Sequence, residues 1–343
     1  MILEQIKYVV KNLKWKRIFT IIQILAKIIC FMVRIGFVGC HEISWFCLKK
    51  ICQLSKEHKD EIVVVYNLDE EERKKHSSYF NFDSLKNEFD FNLKYISNIT
   101  DEENLQFLKN SELDILFIIG WHKIVPQAVI DTAKICLGIH SSELPKDRGS
   151  SPINWQIIKA EEKGGVTLFH LTEGVDSGPI VESTSYDISD EDDVRTVYFK
   201  ATIASISLLE KHWPNIHNVD VPSITQDESQ ATYNERRRPK DGLIDWTQSS
   251  KKCYDWIRAI TFPYPGAYTY WNKKKIILIS SKISNIQGTK PGEILQVGEK
   301  IIVSTGDNSL EILSLQVEGE PICNAKLFVN SYKIQSGDVF SNS

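Results

Sequence analysis

From Arg34 onward, short apolar runs alternate with segments whose apolar positions recur at helical spacing. Ile35–Val38, Glu61–Tyr66, Asp114–Ile119 and Ile135–His140 read as strands, with a weaker one near Leu93–Tyr95. Helices are expected over Ile43–Leu54, Asp101–Asn110 and Gln127–Lys134, while residues 67–90 are polar and mixed. Runs this apolar fit parallel strands covered on both faces. Gly165–Leu171 and Pro179–Tyr186 add two strands; the acidic run Ser189–Asp193 suits a helix N-terminus, metal binding being the alternative. A helix over Arg195–His212 then closes the first domain near Pro214. The pattern predicts an α/β fold with a doubly wound, mostly parallel, Rossmann-like sheet over residues 34–214.

After a polar connector over 215–246, the periodicity changes. A helix is expected over Ser249–Ala259, followed by the short strands Ile276–Ile279, Ile294–Val297, Ile301–Ser304 and Leu310–Leu315. Gly288, Gly292, Gly298 and Gly306 punctuate this part. Residues 247–343 therefore read as a smaller β-rich, OB-like domain.

Residues 1–33 stand apart. Leu3, Ile6, Val10 and Leu13 share one helical face and Lys7, Lys11 and Lys14 another, and a mainly apolar stretch runs from Ile18 to Val33. That stretch is shorter than the roughly 20 residues of a membrane span and has no small-residue cleavage site. A basic amphipathic helix on an anionic membrane surface fits residues 1–31. An extra packed helix, or a leader preceding a start at Met32, fits them too.

Charge sharpens this division. Lys7, Lys11, Lys14, Lys16, Arg17 and Lys27 against Glu4 give the segment +5, so a total of −4 leaves −9 for the remainder. An acidic body is a poor general binder of nucleic acid, whose affinity rests on phosphate neutralisation. The 343 residues are 42% hydrophobic and 25% charged, enough for a sizeable core. Seven scattered cysteines form no Cys-x-x-Cys pair and no zinc pattern, which implies reduced thiols, a cytoplasmic setting and no metal. Gly36-x-x-Gly39 lacks the spacing of a dinucleotide fingerprint.

The chemistry concentrates in Gly138-Ile-His140-Ser141-Ser142-Glu-Leu-Pro145-Lys-Asp-Arg148-Gly149-Ser-Ser-Pro152-Ile-Asn-Trp155, with Val175-Asp176-Ser-Gly178 downstream. A histidine at a strand end with a carboxylate in a neighbouring turn is how open α/β sheets build sites; a histidine alone would read as packing. These segments resemble the formyltransferases that use N10-formyltetrahydrofolate, whose pattern is Asn-x-His, a Leu-Pro-x-x-Arg-Gly loop and Asp-x-Gly. The resemblance covers roughly residues 34 to 315, including Arg237-Arg-Pro-Lys-Asp-Gly-Leu-Ile-Asp-Trp246 and Phe262-Pro-Tyr-Pro-Gly-Ala267. It implies catalytic roles for His140 and Asp176, with His140 hydrogen-bonding the developing oxyanion while Asp176 or a water takes the amine proton. Gly138, Ser141, Ser142 and Arg148 would form the oxyanion and substrate loop. Trp121, Ile124, Val125 and Pro126, with Glu173, Gly174 and Val175 opposite, would hold the folate. In one respect the chain departs: Gly138 stands where the family has asparagine, so Ser141, Ser142, a backbone N–H or a water must replace that donor. Gly-x-His is compatible with sugar-type members.

Within the family, Pro152-Ile-Asn-Trp155 is most similar to sugar N-formyltransferases, implying a nucleotide-linked amino sugar as acceptor for surface polysaccharide. Trp155, Arg237, Lys240 and Tyr264 are the candidate sugar-nucleotide contacts, and a homodimer is compatible with the family. Methionyl-tRNA formyltransferase is the first alternative, though the mixed-charge segment 67–90 and the acidic body suit it less. A catalytically impaired folate- or nucleotide-sugar-binding relative is the second.

Overall fold

The fold was taken from a computed structural model that describes residues 32–76 and 78–342. The basic segment 1–31, with its expected surface helix, lies outside the described residues. β1 (Arg34–Val38), β2 (Glu61–Leu68), β3 (Asn92–Ile96), β4 (Leu113–Ile119), β5 (Ala133–His140), β6 (Lys163–His170) and β7 (Ile180–Asp187) make one sheet in the order β3-β2-β1-β4-β5-β6-β7. The first five are parallel, as their apolar runs require; all seven residues of β4 are buried. β6 and β7 join antiparallel. No residue of β7 is fully buried, and its Glu-Ser-Thr-Ser-Tyr-Asp stretch suits a half-solvated edge.

Helices cover both faces. α1 (Glu42–His58) and α4 (Val194–His217) share one core layer with Ile115, Phe117 and Ile119 of β4, while Leu116 and Ile118 turn to the layer of α2 (Glu102–Asn110). Two expected helix ends are corrected. The helix at Gln127 stops at Ile130, where the Thr132 hydroxyl bonds back to the Val129 carbonyl and the chain enters β5. α4 runs through Pro214 to His217, because burial of Trp213 and Ile216 outweighs one lost N–H. The acidic run is a helix start: Asp193 accepts from the Arg195 and Thr196 amides.

The second part is a curled antiparallel sheet of β8 (Ala267–Trp271), β9 (Lys274–Ser284), β10 (Ile294–Gln296), β11 (Ile301–Ser304) and β12 (Ser309–Val317), in the order β8-β9-β12-β11-β10. Register shifts between Leu278 and Ser281 bend β9. β8 and a helix at Ala325–Tyr332 were not anticipated from the pattern. Between the two sheets lie α3 (Pro152–Ile158) and α5 (Ser250–Ile260), joined where the Asn154 amide donates to the Ala259 carbonyl at 2.7 Å. The connector then threads back onto the first part: Ile224 bridges Ile180 of β7, and Tyr233–Asn234 pairs with Arg148–Gly149 in a separate two-stranded ribbon.

Candidate active site

β5 ends on His140, which is 9% exposed. Its Nε2–H donates to the Asp147 carbonyl at 2.8 Å. That bond puts the neutral ring's proton on Nε2 and leaves Nδ1 toward Asp176, 3.5 Å from Oδ2. Asp176 sits in the β6–β7 turn at φ +49°, and its Oδ2 also accepts the Gly149 amide at 2.8 Å. Oδ1 has no partner among the described residues. The turn is tight: a Cβ on Gly178 would lie 1.7 Å from the His170 carbonyl oxygen, so only glycine fits.

The surrounding loop corrects several expectations. The Nε2–H is spent on the Asp147 carbonyl and Nδ1 faces the Asp176 carboxylate, so the neutral ring has no free N–H to offer an oxyanion. A Cβ on Gly138 would lie 2.5 Å from Leu171 Cδ1 and 3.1 Å from Phe169 Cε1, so these side chains occupy the place of the family's asparagine. Ser142 is buried and donates to the Lys146 carbonyl at 2.6 Å. Arg148 is fully buried and points away, its N–H groups meeting Gln226, Glu228 and Tyr233. Of the proposed donors, Ser141 alone lines the cavity, and its hydroxyl has no partner among the described residues.

That cavity has a volume of about 780 Å³ and holds His140 and Asp176 together with Trp121, Ile124, Val125, Gly174, Val175, Arg237 and Tyr264. Pro126, Glu173, Trp155 and Lys240 are not on its wall. Pro126 caps a helical turn, and Glu173 is exposed in the neighbouring turn. Trp155 donates to the Glu235 carbonyl and lies 5.4 Å beneath the Arg237 guanidinium, while the exposed Lys240 meets the protein through its carbonyl. Tyr264 hydroxyl pairs with Tyr198 hydroxyl at 2.7 Å.

The wall also carries Arg236 and Arg238 of the basic run that includes Arg237, and residues the motifs did not point to: His41, Lys75, His76, His122 and Lys123. A usable signal existed, since His41 and His122 follow the carboxyl ends of β1 and β4, where the strand order reverses. Burial pushes His122 down to about 4, helped by His76 and Lys123. Burial likewise lowers His41 and His76. Glu72, His76 and His122 place one potential ligand atom each within 4.8 Å of one another. Lys75 bonds Glu72 at 2.5 Å and the two imidazoles pack at 4.1 Å, while His122 Nε2 is buried with no hydrogen-bond partner among the described residues.

Comparison with known proteins decides the family. The formyl transferase model matches residues 33–209, and the formyl transferase C-terminal domain model matches residues 237–333. The chain belongs to the formyl transferase family. It is 37% identical over 242 residues to the bifunctional polymyxin resistance protein ArnA of Wigglesworthia glossinidia brevipalpis; the match takes in 70% of this chain and 37% of that one. It is 31% identical over 244 residues to the methionyl-tRNA formyltransferase of Thermodesulfovibrio yellowstonii, covering 70% of this chain and 78% of that one. Among solved structures, the N-formyltransferase from Helicobacter canadensis in complex with folinic acid and dTDP-3-aminofucose superposes with a TM-score of 0.61 at 21% identity, covering 82% of this chain and 98% of that one.

The formyltransferase cavity has features that suit the family's donor, N10-formyltetrahydrofolate. Ile118, Val125, Ile139, Phe169 and Leu171 give it an apolar floor, and Ile124 and Val175 stand 72% and 41% exposed on the wall. The Trp121 indole N–H is buried without a partner among the described residues. Apolar walls with an unspent donor suit a flat heteroaromatic ring.

Proposed function

We propose that this formyltransferase carries the formyl group of N10-formyltetrahydrofolate to the amine of a nucleotide-linked amino sugar. One observation carries the reading: Lys75, Lys123, Arg236 and Arg238 line the same cavity as His140 and Asp176. A nucleoside diphosphate brings its negative charges some distance from the sugar amine, and guanidinium forks match phosphate oxygens. Trp121, Tyr198 and Tyr264 add aromatic surface for a base or sugar ring. The sugar ligand named for the Helicobacter canadensis enzyme fits this reading.

The bound donor supplies an electrophilic formyl carbon. Asp176 Oδ1, the unspent carboxylate oxygen, takes the proton of the attacking amine as the new N–C bond forms and passes it to the leaving tetrahydrofolate nitrogen as the old N–C bond breaks. His140 Nδ1 stands 3.5 Å from Oδ2, and the Gly149 amide donates to that same oxygen and keeps the carboxylate oriented. Ser141 donates to the developing oxyanion in place of the missing asparagine. Ser141→Ala is expected to lower turnover about 100-fold, the usual effect of one oxyanion donor.

The test is incubation of the purified protein with N10-formyltetrahydrofolate and amino sugars linked to dTDP, UDP, GDP or CMP, read by mass spectrometry. The reading expects one sugar to gain a formyl group. Formylation of charged initiator tRNA alone would give the methionyl-tRNA reading, which the Thermodesulfovibrio relative favours. Donor binding with no product would favour a binding relative.

Among the described residues no helix is long and apolar enough to cross a membrane. Our reading keeps the enzyme cytoplasmic and homodimeric, with residues 1–31 on the anionic inner membrane face. Sedimentation with anionic vesicles by the full chain, and not by a chain begun at Met32, is the expected result.

A further inference from the structure

We propose that Gln226, in the connector, is a positioning residue for Asp176, held in place in turn by the buried Arg148. The inference rests on the assignment of Asp176 as the proton acceptor. Gln226 is 6% exposed and uses every hydrogen-bonding capacity of its amide. Its Nε2 donates to the Asp176 carbonyl at 2.8 Å and the Gly178 carbonyl at 2.6 Å, the two ends of the catalytic turn. Its Oε1 accepts from Arg148 Nε at 3.1 Å and Nη2 at 2.7 Å.

Arg148 is spent just as fully. Its remaining N–H groups go to Glu228 Oε2 at 2.9 Å, Glu228 Oε1 at 2.7 Å and Tyr233 Oη at 2.8 Å. Every bond of that guanidinium therefore ends on the connector. Its own backbone neighbour, Gly149, donates to the Asp176 carboxylate. A closed circuit results: Asp176 carboxylate, Gly149 amide, Arg148 side chain, Gln226 amide and Asp176 carbonyl. One arm of the circuit fixes the Asp176 side chain and the other its backbone.

The amide orientation follows from its partners, since only the oxygen can meet a guanidinium and only the nitrogen two carbonyls. Gln226→Glu keeps the acceptor but loses both donors, so it fails as alanine does. The left-handed backbone at Asp176 makes this bracing matter. Aspartate tolerates that region better than most residues but does not prefer it. Thr232 tightens the same seam, with its hydroxyl accepting the Asp147 amide at 2.8 Å and its carbonyl the Arg148 amide at 2.9 Å. The segment leading to the second sheet thus holds the carboxylate of the first in register with His140.

The test is a double-mutant cycle with steady-state kinetics and an NMR reading of the His140 Cε1–H resonance. Gln226→Ala and Gln226→Glu are expected to lower kcat 10- to 100-fold, about 1.4–2.7 kcal/mol, with KM for N10-formyltetrahydrofolate changed less than about threefold. In an Asp176→Asn background, Gln226→Ala should add less than a further twofold, because the group it positions is gone. Asp227→Ala removes an exposed cap on the same connector and should leave kcat and the His140 resonance in place. Full additivity of the two changes, or a KM effect without a kcat effect, would overturn the proposal. If the wild type shows no formyl transfer, the functional reading fails, and the resonance still decides: movement in Gln226→Ala supports positioning and an unmoved signal rejects it.

Discussion

Asp176 Oδ2 lies 3.5 Å from His140 Nδ1 while Oδ1 has no partner among the described residues, and that arrangement sets the strongest residue-scale expectation. Asp176→Asn keeps the shape but not the base, so turnover should fall at least about 1000-fold with the melting temperature little changed. Near-normal turnover in that variant would remove Asp176 from the chemistry. Gly138 gives a second expectation. Asparagine there should destabilise the protein by about 1–3 kcal/mol through overpacking against Leu171. Leu171→Ala in the same chain should recover part of that loss in denaturant melts. A third concerns the cavity histidines. His41, His76 and His122 are lowered in the folded protein, so below about pH 6.5 the unfolded chain binds protons that the folded one refuses. Their stabilisation is complete above that pH and is lost as pH falls toward 4. His122→Gln should flatten the fall of melting temperature over that window. An equal slope in both proteins would contradict the assignment.

At the scale of elements, β7 was read although none of its residues is fully buried, and β8 was missed although four of its five residues are buried. β4 announced itself because every position is apolar and buried. The antiparallel direction of β6 and β7 has no local signature, since pairing direction depends on partners distant in sequence. α4 continues past Pro214 for a tertiary reason, the burial of Trp213 and Ile216. His140 and Asp176 were legible from motif alone, whereas Arg148, adjacent in the same motif, turned out to brace the connector. Nothing in a linear pattern tells an arginine that binds substrate from one whose partners arrive about 80 residues later. Arg148→Ala leaves Gln226 Oε1 without its donors and Glu228 unpaired, and should cost about 3 kcal/mol in urea unfolding. A loss below about 0.5 kcal/mol would show that the seam does not hold the two parts together.

For the whole molecule, composition and charge bounded the answer without reaching it. An acidic body argued against general nucleic-acid binding, yet Lys75, Lys123, Arg236 and Arg238 line one cavity with the reactive pair. That concentration of cations within a net-negative protein is visible only once β2, β4 and the connector are brought together. The same assembly explains why Trp155 and Lys240, neighbours in sequence of cavity residues, are not on its wall. The central claim is that formyl transfer to an amino sugar occurs in this cavity. The most direct measurement is single-turnover formylation of the best nucleotide-linked amino sugar, followed by mass spectrometry, comparing the wild type with an Arg236→Ala/Arg238→Ala variant. The account predicts rapid product in the wild type and at least about a tenfold higher acceptor KM in the variant, with donor binding unchanged. Equal KM values, or product only with charged initiator tRNA, would contradict it.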